Sequence, residues 1–451
     1  MLSSIRNKVQ SFWEAGHERT IRIKKNIAWS FLIKGASVLI SYLLVPLTLN
    51  YINSLQYGIW ITISSLVAWT NTFDIGLGNG LRNKLAHSHA LNDKENNVKY
   101  VSTAYAMLFI IGGSIFIAFF LAGSFFNWNQ LLNIPGAVGY SVWPIILITM
   151  GTFCVQFVLQ PVNNILTATH DPYKSSLIFL FCQFLTLVVV YILTKTTEGN
   201  LMSLVVAATG CPVLVFLIAN VYLFGTSLKS FMPRFSAIDF SSAKSLLNVG
   251  GVFFFIQIGA LILYETDNIV IAKTLGPADV TIFNIAFKYF SILTVALAIF
   301  MTPYWSAFTD AYAKRDMNWI RDSMKKMRRL WFYATIAAII LCCISNFVYK
   351  FWVGTSISIW ISLSLAINVS VQTWQIIHSY MLNGVGKLKV QLVLVVIAGV
   401  LNIPLSIVLI RQIGIPGTVV ANIVLQLAMN VVFTYQCRLI MEEKASGIWA
   451  K

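Results

Sequence analysis

The chain has 451 residues, of which 57% are hydrophobic and only 11% are charged. A soluble domain carries roughly 25% charged residues, so this composition excludes a soluble enzyme and leaves no room for a second soluble domain. The formal net charge is +16, but the basic residues are scattered between apolar runs. That scatter is typical of the cytoplasmic loops of membrane proteins and argues against nucleic acid as a partner.

Apolar runs of bilayer-crossing length predict an all-α polytopic membrane protein. A spanning helix needs about 20 mainly apolar residues. The twelve predicted spans are 26–50, 56–79, 98–126, 139–166, 175–194, 200–224, 245–271, 280–302, 330–349, 356–382, 389–410 and 415–437.

Basic residues on alternate loops set the predicted orientation. Lys and Arg collect in the N-terminal arm and in every second loop, which places both termini of a multi-pass membrane protein in the cytoplasm. The predicted segments are a cytoplasmic arm (1–25), an N-lobe (26–224), a cytoplasmic linker (225–244), a C-lobe (245–437) and a cytoplasmic tail (438–451).

An internal repeat relates the two predicted lobes. A shift of 223 residues lays 49–60 over 272–283 without a gap, and it lays 80–93 over 303–316. Each half holds six spans, so the halves share one orientation in the membrane. Parallel repeats of this kind place a substrate site at the interface between the halves.

Charged residues inside the predicted spans are few and unevenly placed. A charge near the bilayer centre costs at least about 2.5–3.5 kcal/mol, so it commonly marks a polar path. Lys34, Asp74, Glu265, Asp267 and Lys288 all lie in the first two spans of a half. The other eight spans hold almost no interior charge, apart from a histidine at position 378.

Polar residues at helical spacing surround these charges and predict one water-filled cavity. The four stripes are Ser30, Lys34, Ser37 and Ser41; Tyr57, Ser64, Asn71 and Asp74; Gln257, Tyr264, Glu265 and Asn268; and Thr281, Asn284, Lys288 and Ser291. The alternative is that the serines and asparagines only make hydrogen bonds between helices.

The carboxylates have a second interpretation of their own. Asp74, Glu265 and Asp267 are candidates for ion coupling or gating. Asp74 is also close enough to Arg82 for a salt bridge at the helix end, and the other two lie near the outer end of their span. The glycine-rich run that follows Asp74 lacks the preceding strand that a dinucleotide-binding loop requires. The sequence therefore predicts no catalytic residues, no metal site and no cofactor.

A family resemblance rests on three segments. The stretch Thr72-Phe-Asp-Ile-Gly-Leu-Gly-Asn-Gly-Leu-Arg-Asn-Lys84, the start of span two at Tyr57-Gly-Ile-Trp60 and the segment Leu382-Asn-Gly-Val-Gly-Lys387 are similar to segments of the Wzx oligosaccharide flippases. These belong to the polysaccharide transporter family of the multidrug/oligosaccharidyl-lipid/polysaccharide (MOP) exporter superfamily. The resemblance covers essentially the whole chain through span number and repeat.

The resemblance implies a fold and a substrate. The fold has two six-helix lobes, with spans one, two, seven and eight lining a central cavity. The substrate is an undecaprenyl-pyrophosphate-linked oligosaccharide, carried from the cytoplasmic to the periplasmic leaflet for O-antigen or similar polysaccharide biosynthesis. Lys34 and Lys288 would then bind the pyrophosphate. Expected partners are the bilayer, H+ or Na+, and other polysaccharide assembly proteins.

Two rival functions stay open at this point. A multidrug exporter of the same superfamily would share the fold, although two cavity lysines favour an anionic substrate. A membrane-embedded glycan polymerase or ligase would be an enzyme, and such enzymes usually carry a large, charged outer loop. The outer loops predicted here are short and hold little charge.

Overall fold

The computed structural model describes residues 18–68, 76–91, 93–135, 141–169, 171–243, 261 and 266–450, and all regular structure among them is helical. The helices are α1 Glu18–Tyr51, α2 Ser54–Ala68, α3 Leu77–Ala90, α4 Lys94–Gly123, α5 Trp128–Leu131, α6 Trp143–Leu159, α7 Pro161–Ala168, α8 Pro172–Thr196, α9 Leu201–Gly225, α10 266–274, α11 Pro277–Ala313, α12 Met317–Val353, α13 Ile359–Val385, α14 Lys389–Ile413 and α15 Pro416–Met441. Three short 3-10 helices are Lys229–Phe231, Phe235–Ala237 and Gly447–Ala450.

Within the described residues, nine helices are long and apolar enough to cross a membrane. They match nine of the predicted spans. Predicted spans two and seven fall partly outside the described residues. The tenth corresponds to α13, which has 27 residues but is not among the nine. Its polar residues, among them Asn368, Gln375 and His378, lower its mean hydropathy.

The helix ends follow local sequence rules. Asn200 caps α9 by accepting hydrogen bonds from the backbone of Met202 and Ser203, and Asp316 caps α12 through the backbone amide of Trp319. At the other end, Gly354 terminates α12 in the left-handed conformation, with φ at 70°. Glycine adopts that conformation at low energetic cost. These residues mark where α9 and α12 begin and where α12 ends.

The first compact unit consists of Met1–Tyr51, Asp74–Gly123 and Leu147–Gly250. In it α1 packs along α8, and α3 packs against α4 and α7. Its core is apolar and comes from several of these helices. Core residues include Leu81, Leu85, Val101, Val162, Ile165, Phe216 and Phe224.

The segment predicted as a cytoplasmic linker, 225–244, is attached to α4 in this unit. Lys99 Nζ lies 2.6 Å from Asp239 Oδ2. The backbone amide of Asp239 donates to Thr103 Oγ1 at 3.0 Å, and the backbone amide of Arg234 donates to Ser102 Oγ at 2.9 Å. An ion pair and two hydrogen bonds from backbone amides of the linker to side chains of α4 thus hold the linker on α4.

The second compact unit consists of Ile52–Phe73, Ser124–Ile146 and Gly251–Lys451. Here α11 packs against α2, α12 and α13, and α15 packs against α13 and α14. Gly384 in α13 allows the close approach of α11, because a Cβ atom at that position would crowd Phe308 and the carbonyl oxygen of Trp305. α2 therefore belongs to the second unit. The lobe boundaries given above, 26–224 and 245–437, stay a prediction.

Candidate substrate and ion site

Lys34 is an exposed residue of α1 in the first unit. Ser37 and Ser41 follow it at helical spacing and are half-buried. Lys34 lies 17 residues before Tyr51, where α1 ends, which corresponds to about 25 Å along the axis at 1.5 Å per residue. The ammonium group is therefore carried within the long α1 helix, well away from that end.

Lys288 is a half-buried residue of α11 in the second unit. Asn284 and Ser291 lie one turn before and after it and are also half-buried. Ser291 Oγ donates to the backbone carbonyl of Lys288 at 2.7 Å. Lys288 follows the first residue of α11, Pro277, by 11 residues, or roughly 16 Å. This cation is therefore positioned inside a membrane-length helix and among polar groups.

The starts of α2 and α11 are in direct contact in the second unit. Gly58 packs against Pro277, and a Cβ atom at position 58 would overlap the proline carbonyl. Thr281 Oγ1 donates to the carbonyl oxygen of Ser54 at 2.6 Å. Two of the predicted polar stripes are thus joined at their ends.

Two side-chain hydrogen bonds link predicted stripe residues to α2. The Tyr57 hydroxyl donates to Asn284 Oδ1 at 3.3 Å. Asn268 Nδ2 donates to Ser65 Oγ at 2.8 Å, and both groups are buried. Ser64 was the predicted stripe member, yet its neighbour Ser65 makes this bond. The hydroxyl oxygen of Ser64 is buried without a hydrogen-bond partner in the described part of the chain.

Asp267 is a buried carboxylate that belongs to a polar network. It is 3% exposed, and its Oδ2 accepts a hydrogen bond of 2.6 Å from Asn422 Nδ2. Asn422 Oδ1 in turn accepts from Asn402 Nδ2 at 2.6 Å, and Asn402 Oδ1 accepts from Thr266 Oγ1 at 3.1 Å. The network connects α10 with α14 and α15. A charge-assisted hydrogen bond such as Asn422 to Asp267 offsets part of the cost of burying the carboxylate.

Several predicted site residues fall outside the part of the chain that the structure describes. They are Asn71, Asp74, Gln257, Tyr264, Glu265 and the side chain of Ser30. Their roles stay predictions, as does the shared cavity for Lys34 and Lys288.

The sequence analysis missed the buried amides of α13, α14 and α15. Asn402, Asn422 and Gln426 are each 3% exposed or less. The predicted site residues were chosen around charged residues inside the spans, and these three helices have few charged residues in their interiors. The signal that could have found them is the spacing of Asn422, Gln426 and Asn430, which fall on one face of α15 at intervals of four.

The family model described as "Polysaccharide biosynthesis protein" matches residues 23–308, well over half of the chain. Two curated relatives extend the match. A Yersinia pseudotuberculosis protein assigned to O-antigen export is 24% identical over 378 residues, covering 78% of this chain and 81% of the relative. A Salmonella typhi protein assigned to O-antigen transport is 20% identical over 393 residues, covering 82% and 86%.

A solved structure shows the fold. A multidrug resistance transporter of the MATE family and MOP superfamily, in an inward-facing conformation, superposes with a TM-score of 0.69 at 17% identity. The superposition covers 92% of this chain and 96% of that one. The predicted MOP fold is therefore confirmed.

Proposed function

Because the chain belongs to the polysaccharide biosynthesis protein family, we propose that it flips an undecaprenyl-pyrophosphate-linked oligosaccharide from the cytoplasmic to the periplasmic leaflet. The chain is a membrane transporter of polysaccharide precursors in the MOP superfamily. The relatives are assigned to O-antigen export and transport, which confirms the prediction that the chain is not an enzyme. The product would serve O-antigen or similar surface polysaccharide biosynthesis.

The physical task is to move a pyrophosphate and its sugars past about 30 Å of hydrocarbon while the lipid tail stays in the bilayer. Cations and hydrogen-bonding side chains replace the hydration that the head group loses. Lys is a suitable phosphate ligand. The observation that carries this step is the half-buried ammonium of Lys288 on α11, with Lys34 as the second proposed ligand.

The mechanism proposed is alternating access. Rocking of the two lobes exposes the site first to one side of the membrane and then to the other. The contact between Gly58 and Pro277, with the hydrogen bond from Tyr57 to Asn284, joins α2 to α11 in the state described. Asp74, Glu265 and Asp267 stay candidates for coupling the cycle to H+ or Na+.

Reconstitution tests this function directly. The purified chain is placed in vesicles that carry a fluorescent undecaprenyl-pyrophosphate-linked oligosaccharide, and a glycan-modifying enzyme added outside reports which leaflet holds the sugar. Vesicles with the chain should exchange the glycan between leaflets faster than protein-free vesicles. A parallel assay with a cationic dye tests the multidrug-exporter alternative. Dye transport without glycan exchange would reject the flippase function.

A further inference from the structure

Buried and half-buried polar side chains line the interface between α13 and α15 from the Asn368–Gln426 contact to the Trp374–Thr434 contact. The two helices run parallel, because their contacting residues keep an almost constant offset in the sequence. The contacts are Gln426 Nε2 to Asn368 Oδ1 at 3.4 Å, Asn430 Nδ2 to the Val371 carbonyl at 2.9 Å, and Trp374 Nε1 to Thr434 Oγ1 at 3.0 Å. We call the buried polar groups along this interface the polar column.

Four atoms of the polar column are buried acceptors without a hydrogen-bond partner in the described part of the chain. They are the side-chain oxygens of Gln375, Gln426 and Asn430, and Nε2 of His378. Each of these side chains is at most 8% exposed. A buried polar group left unpaired costs about 1–3 kcal/mol, so such groups in folded proteins are generally paired, and ordered water is one partner.

The histidine is oriented by its other ring nitrogen. His378 Nδ1 lies 2.9 Å from the carbonyl oxygen of Trp374, which can only accept a hydrogen bond. Nδ1 therefore carries the ring proton, and Nε2 is left as an acceptor with a free lone pair. This tautomer requires a donor at Nε2, and water is the smallest one available.

The spacing along α15 suits a chain of single waters. Asn422, Gln426 and Asn430 are four residues apart, which places neighbouring side chains about 5–6 Å apart on the helix surface. One water that makes two hydrogen bonds of about 2.8 Å bridges that distance. Asn422 also donates to Asp267, so the carboxylate lies at one end of the chain.

The other end, at His378, lies at the level of Gln436 of α15, because the neighbouring Cys437 contacts the His378 carbonyl. Gln436 Nε2 lies 3.4 Å from the carbonyl oxygen of Lys387 and 3.2 Å from that of Trp449. From Asn422 to Gln436 is 14 residues of α15, or about 21 Å at 1.5 Å per residue. That length is most of the roughly 30 Å hydrocarbon thickness of a bilayer.

Lipid cannot supply the missing donors from the side. Asn430 and Thr434 also line a mainly apolar groove of about 940 Å³ between α12, α13 and α15. In the membrane this groove is filled by hydrocarbon chains, which have no hydrogen-bond donors. Any water in the polar column therefore has to enter from its ends.

We propose that the polar column holds a chain of buried waters along which protons pass between Asp267 and His378. Each water accepts a proton from one neighbour and gives one of its own to the next, so only O–H and N–H bonds form and break. A proton at one end rests on the Asp267 carboxylate, and a proton at the other rests on His378 Nε2. This inference rests on the proposed function, because the proton path serves to couple glycan export to a proton gradient.

Side chains of the neighbouring helices lie around each end of the polar column. Arg328 of α12 lies 5.9 Å from the ring centre of Trp374, whose ring lies 4.8 Å from that of His378. Cys437 of α15 donates to the His378 carbonyl through its thiol at 3.8 Å. At the other end the amides of α14 and α15 already described surround Asp267. Arg328 thus places a fixed positive charge near this end, which disfavours a second positive charge on His378 and favours release of its proton to the adjacent water.

Hydroxyl-radical footprinting of the purified chain tests for the waters. Met429 lies on the polar column, where Gln375 Nε2 reaches its sulfur at 3.8 Å, and it is 2% exposed. Met324 is 1% exposed and lies in the same apolar cluster as Met429, so the contact of Met429 with Gln375 is what distinguishes the two, and Met324 is a matched control. Radicals formed from buried waters should oxidise Met429 several times faster than Met324. Equal protection of the two methionines overturns the inference.

Proton flux tests the path. Vesicles containing the chain, a lipid-linked oligosaccharide and a pH-sensitive dye are given a pH jump. Gln426→Leu removes the central hydrogen-bonding group and should reduce flux to the level of protein-free vesicles, while Gln426→Glu should retain it. Ser362→Ala is the control, because Ser362 is buried in α13 but bonds Tyr349 on α12. Wild-type flux in a folded Gln426→Leu protein overturns the inference, as does wild-type flux no higher than that of protein-free vesicles.

The two experiments separate this inference from the transport function. Footprinting needs no glycan, so its result stands whether or not the chain flips one. Glycan exchange that persists with equally protected methionines rejects the polar column alone. If Met429 is oxidised and Met324 is protected but no glycan is exchanged, the flippase function alone is rejected.

Discussion

Gly58 of α2 and Pro277 of α11 are packed so closely that no Cβ atom fits at position 58. The 223-residue repeat carries this pair onto Thr281 and Ser54, and those two residues are also in contact, through a hydrogen bond of 2.6 Å. The starts of α2 and α11 therefore meet as a self-complementary pair, in the manner of an isologous interface. The repeat found in the sequence is expressed in the structure as this paired contact.

Substituting Gly58 should disrupt the pair. Gly58→Val places a branched side chain against the Pro277 carbonyl, and overpacking of this kind costs typically 1–3 kcal/mol. The variant should melt at a lower temperature and export less glycan. Gly210→Val is the matched control in α9, since a Cβ atom at position 210 meets nothing within 4 Å. Equal melting temperatures for the two variants would contradict a tight contact at Gly58.

The attachment of the linker to α4 should depend on pH. The ammonium group of Lys99 holds the pKa of Asp239 well below its ordinary value of 3.8. Because the folded pKa is lowered, the stabilisation is present above 3.8 and is lost as the pH falls through the folded value. Asp239→Asn should therefore lower the melting temperature at neutral pH, with a difference that shrinks in strong acid.

The control for this prediction is Asp310→Asn. Asp310 pairs with Lys314, but both side chains are at least 64% exposed, and such pairs contribute little. A melting difference for Asp239→Asn that stays constant down to strongly acidic pH would show that the carboxylate charge does not hold the linker.

The three candidate coupling carboxylates should affect the pH dependence of export. Asp74→Asn, Glu265→Gln and Asp267→Asn each remove a titratable group from a predicted span, where a carboxylate is costly to keep. At least one variant should lose activity or shift its pH profile in glycan export. Full activity with an unchanged profile in all three would remove ion coupling and gating from these residues.

The predicted topology places both termini and the segments 82–97 and 309–329 on the cytoplasmic side. The reason is the concentration of Lys and Arg in alternate loops. Single cysteines introduced into a cysteine-free version should resist a membrane-impermeant thiol reagent added outside intact cells and react after permeabilisation. Labelling of either segment from outside would reverse the assigned orientation.

Much of the fold could be predicted from hydropathy alone, because each span must satisfy its own backbone in lipid. Among the residues that the structure describes, nine predicted spans appear as long apolar helices. α13 shows the limit of that reasoning, since Gln375 and His378 make it too polar for the hydropathy criterion although it is a long helix. Its polarity is tolerated because its amides face α15 rather than lipid.

The candidate site was only partly predictable. Helical spacing selected Asn268 and Asn284, which make hydrogen bonds to α2, and it selected Ser64, whose neighbour Ser65 makes the bond with Asn268. Adjacent residues on a helix differ by about 100°, so a stripe read from sequence leaves that ambiguity. The partner of Asp267 is Asn422, 155 residues away, and no local pattern indicates such a pairing.

The central claim is that Lys34 and Lys288 bind the anionic head of the lipid carrier. Lys34→Ala and Lys288→Ala each remove a charge-assisted contact, and the arginine variants keep the positive charge. The decisive measurement is surface glycan export in a flippase-null strain, at matched membrane expression of each variant. We expect the alanine variants to export poorly, the double variant to fail, and the arginine variants to retain more activity. Normal export by the double alanine variant would contradict the account and place the pyrophosphate site elsewhere.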